Sequence, residues 1–141
     1  MTVNNSIRAA IETYLTGGGS PLIPDTRCAF ENTPFNPATG TWWGRITVFA
    51  SVNRQRVTVG QSAVILEGGF VDIGLFYPEG KGAAEAETKA DQIIAALEGG
   101  TIVSSADGNV HFDTPQRTGA IQENKWYQIN ITAPYRFYKN T

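Results

Sequence analysis

The chain has 141 residues, of which 41% are hydrophobic and 17% charged, with a net charge of −2 and a single cysteine. That length favours one domain, residues 1–141, whose core needs no metal or disulfide staple, and the lone Cys28 excludes an intramolecular bridge. Lysine and arginine are scattered, so no basic run is placed to neutralise several phosphates and sequence-specific nucleic-acid binding is not expected; nor does any window approach the ~18 apolar residues of a membrane-spanning helix.

The opening MTVNNSIRAAIETYL has no basic stretch ahead of an apolar block, so it reads as part of the fold and not as a signal peptide. Within it, Ile7, Ile11, Tyr14 and Leu15 fall at helical spacing behind Ser6, which predicts a helix over 6–16 that Gly17-Gly18-Gly19 stops. A connection to Thr26 and a short extended piece, Arg27 to Phe30, follow. Pro34 and Pro37 then forbid regular helix and predict an ordered loop. Trp42 to Ala50 alternates as a strand. Trp42, Ile46, Val48 and Ala50 share one face, and Trp43, Arg45, Thr47 and Phe49 share the other. Both faces are partly apolar, which suits a strand inside a sheet or one covered by another subunit.

Residues 51–68 carry Arg54 and Arg56 and are expected to form a long hairpin arm, with Gln61 to Leu66 a possible strand. Phe70 to Tyr77 is a clear strand with Val71, Ile73, Leu75 and Tyr77 on one side. Pro78 ends it. A helix over 83–97 follows, with Ala86, Ala90, Ile93, Ile94 and Leu97 as its stripe and Gly99-Gly100 as its stop. Thr101 to Ser104 and Asn109 to Phe112 flank an Asp-Gly turn, Thr114 to Ile121 is irregular strand, and Lys125 to Ala133 is a strong strand. The order predicts an α+β fold: an antiparallel or mixed sheet with two helices packed on one face and a long hairpin arm.

Chemistry is sparse. His111 is the sole histidine, and with Cys28 it makes a conceivable nucleophile and base, but neither carries a flanking signature. A buried small hydrophobe is the simpler reading of the thiol. Zinc needs three or four ligands, more than these two residues supply. Gly80-Lys81-Gly82 before a helix lacks the remainder of a phosphate-binding loop and reads as a turn. No catalytic, metal or cofactor residue is therefore assigned, and no enzyme activity is expected. The segment Tyr135, Arg136, Phe137 and Tyr138 concentrates three aromatics and an arginine, the composition of contact anchors. It either folds back on its own domain or meets a partner. Together with Arg54 and Arg56 it supplies the candidate contact residues.

Several blocks carry a resemblance: Ile7 to Leu15, Phe30-Glu-Asn-Thr-Pro-Phe35, Trp43-Gly-Arg-Ile-Thr-Val48, Gly69 to Pro78 running into Gly80 to Ile94, and Trp126 to Tyr135. Together they cover most of the chain, which resembles the tail terminator proteins of long-tailed bacteriophages; Gly17 to Arg27 is longer and richer in glycine than that pattern. The resemblance implies a structural virion protein without catalytic residues. Such a protein forms a ring, expected to be hexameric, that caps the tail tube, stops its polymerisation and joins tail to head. The implied partners are other copies of itself, the tail tube protein and the head-tail connector protein, with assembly in the host cytoplasm and no membrane involved. Another neck or tail-completion subunit is the alternative, with a small enzyme or ligand-binding module behind it.

Overall fold

A computed structural model of the chain describes residues 3–17, 22–31, 33–37, 40–56, 65–80, 83–98, 102–104, 108–118, 121–123 and 125–139, the stretches 3–5, 50–56, 102–104 and 121–123 and residues 65 and 139 by backbone alone. The elements in chain order are α1 (Val3–Thr16), a 3-10 turn (Asp25–Arg27), β1 (Cys28–Ala29), β2 (Trp43–Arg56), β3 (Ile65–Pro78), α2 (Ala84–Leu97), β4 (Ile102–Ser104), β5 (Gly108–Phe112), β6 (Gln116–Arg117), β7 (Ile121–Glu123) and β8 (Trp126–Lys139).

The strands form one mixed sheet in the order β1-β2-β3-β8-β5-β4, parallel only between β1 and β2. β3 and β8 pair along their whole length, from Ile65 opposite Lys139 to Pro78 opposite Trp126. On its other side β8 is lined in succession by β7, β6 and β5. The gaps between those short strands are bridged by backbone bonds, Asp113 N to Pro134 O at 2.9 Å and Thr118 N to Asn130 O at 3.0 Å. The described stretches 108–118 and 121–123 thus follow β8 in turn and keep its second edge paired.

Period-two alternation puts Val71, Ile73, Leu75 and Tyr77 of β3, and Ile129, Ile131, Ala133, Tyr135 and Phe137 of β8, on one side, all at most 3% exposed. Against this side lie the stripes Ile7, Ile11 and Leu15 of α1 and Ala86, Ala90, Ile93 and Leu97 of α2, all in one hydrophobic cluster. Burial of a large apolar side chain contributes roughly 1.5–3 kcal/mol, so these stripes hold the helices to the sheet. The Tyr14 hydroxyl donates to Ala96 O at 2.8 Å and ties one helix to the other. At the far end of β3, Gly80 takes a positive φ of 87° in the turn, and Glu79 N donates to Lys125 O at 2.9 Å.

The α+β class and both helices stand as expected. The described part of 51–68 is sheet: β2 runs to Arg56, shifts register between Ala50 and Arg54, and β3 starts at Ile65 between β2 and β8. The remainder of the segment expected as a long arm, residues 57–64, lies outside the described residues, as does the turn at 105–107.

Candidate functional site

The same alternation that fills the core turns a second set of side chains to the opposite face of the sheet, where no described helix packs. On β2 these are Trp43, Arg45, Thr47 and Phe49; opposite them in register on β3 are Phe76, Gly74, Asp72 and Phe70. Apolar groups gather at the two ends. At one end Trp43 stacks on Phe76 at 4.1 Å between ring centroids and meets Trp126 edge-on at 6.0 Å, with Phe35 at 5.4 Å. Arg45 lies over Phe76 at 5.3 Å. At the other end the cross-strand pair Phe49 and Phe70 stacks at 4.7 Å while remaining 45% and 41% exposed. These are the exposed large hydrophobics among the described residues. An aromatic pair held in register and left open to water is what a contact surface requires: a fixed shape with apolar area still to be covered.

The tail segment folds onto its own sheet as the last part of β8, and alternation divides it. Tyr135 and Phe137 point into the core, at 2% and 0% exposure. Arg136 and Tyr138 stand on the open face. There Arg136 pairs with Asp113 at 3.2 Å, and Tyr138 meets the edge of His111 at 5.0 Å. Arg54 and Arg56 sit in β2 opposite Glu67 and Ile65. β2 and β8 flank β3 on either side, so the sheet holds the two candidate groups two strands apart instead of joining them. Phe70, outside every stripe read in the sequence, is the contact candidate that reasoning missed. Its signal was available in the apolar outer face of β2, which needed a register partner.

Cys28 and His111 are kept apart. Cys28 belongs to the core cluster at one edge of the sheet, whereas His111 lies on the open face of β5, with β2, β3 and β8 between their strands. Burial, with help from the Glu12 and Asp25 charges, pushes the Cys28 thiol up to about 12, away from nucleophilic ionisation. No group of three or more metal-ligating side chains occurs among the described residues, and no described helix is long and apolar enough to cross a membrane.

A second polar locus lies at the junction of β2, β3 and α2. Trp42 stacks on Tyr77 at 5.5 Å, and the Arg27 guanidinium and Lys89 ammonium each lie 5.2 Å from the Trp42 ring centre. Beside them opens a pocket of about 360 Å³ lined by Trp42, Tyr77, Glu85, Thr88, Lys89 and Gln92. Burial and then the Arg27 charge push the Lys89 pKa down. Burial and then the Glu85 charge raise the Tyr77 pKa to about 12, against the lowering effect of the Arg27 charge.

A family model described as phage tail terminator protein matches residues 6–135 of the chain. No curated protein sequence matches it. One solved chain is similar with a TM-score of 0.74, over 97% of this chain and 96% of that one; at 20% identity the likeness shows the fold alone.

Proposed function

The chain belongs to the phage tail terminator family, and on that premise we propose that it closes the growing end of a tail tube as a ring of copies. Family membership makes it a structural component of tail completion. The finer reading is that the ring halts polymerisation of the tube and offers the surface on which the head-side connector docks. Its partners are then further copies of itself, the tube protein and the connector, met in the host cytoplasm and retained in the virion. A closed ring requires one surface of each subunit to meet a different surface of the next.

The observation that carries this reading in the geometry is the stacked, exposed pair Phe49 and Phe70 on the helix-free side of the sheet. The core does not use it, and covering it removes apolar area from water, a gross gain of roughly 25 cal/mol per Å² that is set against the entropic cost of association. Arg136 and Tyr138 on the same face, and Arg54 and Arg56 in β2, are the remaining proposed contacts.

Electron microscopy of particles assembled without this protein tests the function. Overlong tails are the expected result. Tails of normal length without heads would instead identify a neck subunit, and normal virions would end the proposal. For the surface, Phe49→Ser combined with Phe70→Ser should cost the isolated chain about 1–3 kcal/mol, through loss of a cross-strand aromatic pair, and leave it folded. The same variant should fail to restore tail length, and full restoration would place the contacts elsewhere.

A further inference from the structure

The locus around Trp42 lies off the open sheet face, at the margin of the core, where Trp42 stacks on the buried Tyr77. Arg27 comes from the 3-10 turn and Lys89 from the second turn of α2, and both converge on one indole. Among the described residues neither cation has a carboxylate within ion-pairing distance, whereas Arg8, Arg117 and Arg136 each do. An aromatic ring attracts a cation, yet two cations sharing one ring repel each other, and an anion held between them relieves both; Glu85, in the same pocket, is not within ion-pairing distance of either. Glu85, Thr88, Lys89 and Gln92 fall at i, i+3, i+4 and i+7, so one stripe of α2 faces the pocket, distinct from the buried stripe of Ala86, Ala90, Ile93 and Leu97.

We propose that this corner is a carboxylate-binding site, in which Arg27 and Lys89 clasp an acidic side chain of another protein over the Trp42–Tyr77 stack. Charge complementarity selects the anion. Glu85, lining the same pocket, selects among anions: a singly charged carboxylate is tolerated, while a dianionic phosphate meets one more repulsive charge. Gln92, lining the same pocket, supplies a neutral amide donor for the second carboxylate oxygen. The Tyr77 hydroxyl keeps its proton through the working pH range and adds no negative charge. This site is independent of the ring proposal, since it requires only an acidic partner segment.

Calorimetric titration of the full chain at low salt, with a capped tetraglutamate peptide, a tetraglutamine control and inorganic phosphate, tests it. The acidic peptide should bind saturably and the control should not. Arg27→Gln or Lys89→Gln should weaken binding at least tenfold, and Glu85→Gln should tighten it and admit phosphate. The indole N–H resonance of Trp42 in the unsubstituted protein should move with the same midpoint, which keeps the test open if a variant folds poorly. Equal binding of both peptides, binding that survives both cation variants, or phosphate competing as well as the peptide in the unsubstituted chain would overturn the proposal.

Discussion

The thiol of Cys28 shows how strongly position decides chemistry. At 3% exposure, with its pKa near 12, it should resist alkylation by iodoacetamide at pH 8 in the native protein and react only after denaturation. Rapid native labelling would contradict its burial. Tyr77 and Tyr135 are likewise held up to about 12 from an ordinary 10, chiefly by burial. All three groups are acids whose folded pKa lies above the unfolded one, so the folded state holds more protons in the interval between. Their contribution is therefore intact below pH 9 and is lost as pH rises from about 9 towards 12. Denaturant midpoints measured from pH 8 to 11 should fall, and Tyr135→Phe should flatten the upper part of that decline. Phe137, fully buried on β8, should cost about 3–5 kcal/mol as Phe137→Ala. Arg136→Ala next to it, exposed and paired with Asp113, should cost under about 1 kcal/mol.

Among the elements, the β3–β8 ladder contains its own test of close packing. Gly69 sits opposite Tyr135, and a Cβ added there would lie 2.6 Å from the Tyr135 hydroxyl and 2.5 Å from Phe49 O. The missing side chain lets the tyrosine ring lie across the strand, as an aromatic covering a cross-strand glycine does. Gly69→Ala should therefore destabilise by about 1–3 kcal/mol in a chemical melt, whereas Gly40→Ala, which meets nothing within 4 Å, should cost about 1–2 kcal/mol through its positive φ of 78° alone. The elements with the strongest periodicity were the legible ones. The stripe from Ala86 to Leu97 marked α2 within one residue, and alternation from Val71 to Tyr77 marked the core side of β3. Strand ends were less so. β2 continues to Arg56 past a register shift, and β8 continues through Pro134 to Lys139. Polar residues and a proline gave no local reason to extend either strand; pairing with β3 supplied it. The candidate contacts followed the same logic, because alternation within Tyr135 to Tyr138 assigns two residues inward and two outward only once strand conformation is known.

Among the described residues a single sheet divides a side covered by both helices from one that no described helix covers. The two-faced apolar pattern of β2 suited a strand inside a sheet or one covered by another subunit, but the pairing of Phe49 with Phe70 depends on a register that no single segment encodes. The chain's last strand is also its most connected one. Removing residues 135–139 deletes two core aromatics and the partner of β5, so the truncated protein should be protease-sensitive and lack a cooperative melt. A cooperative melt close to that of the intact chain would contradict this. Because β8 runs through the middle of the sheet yet follows in sequence every strand it joins, β3, already paired with β2, and β5 to β7 complete their ladders only when β8 docks between them. Completion of the sheet is thereby a late step in folding, as expected where long-range pairing dominates.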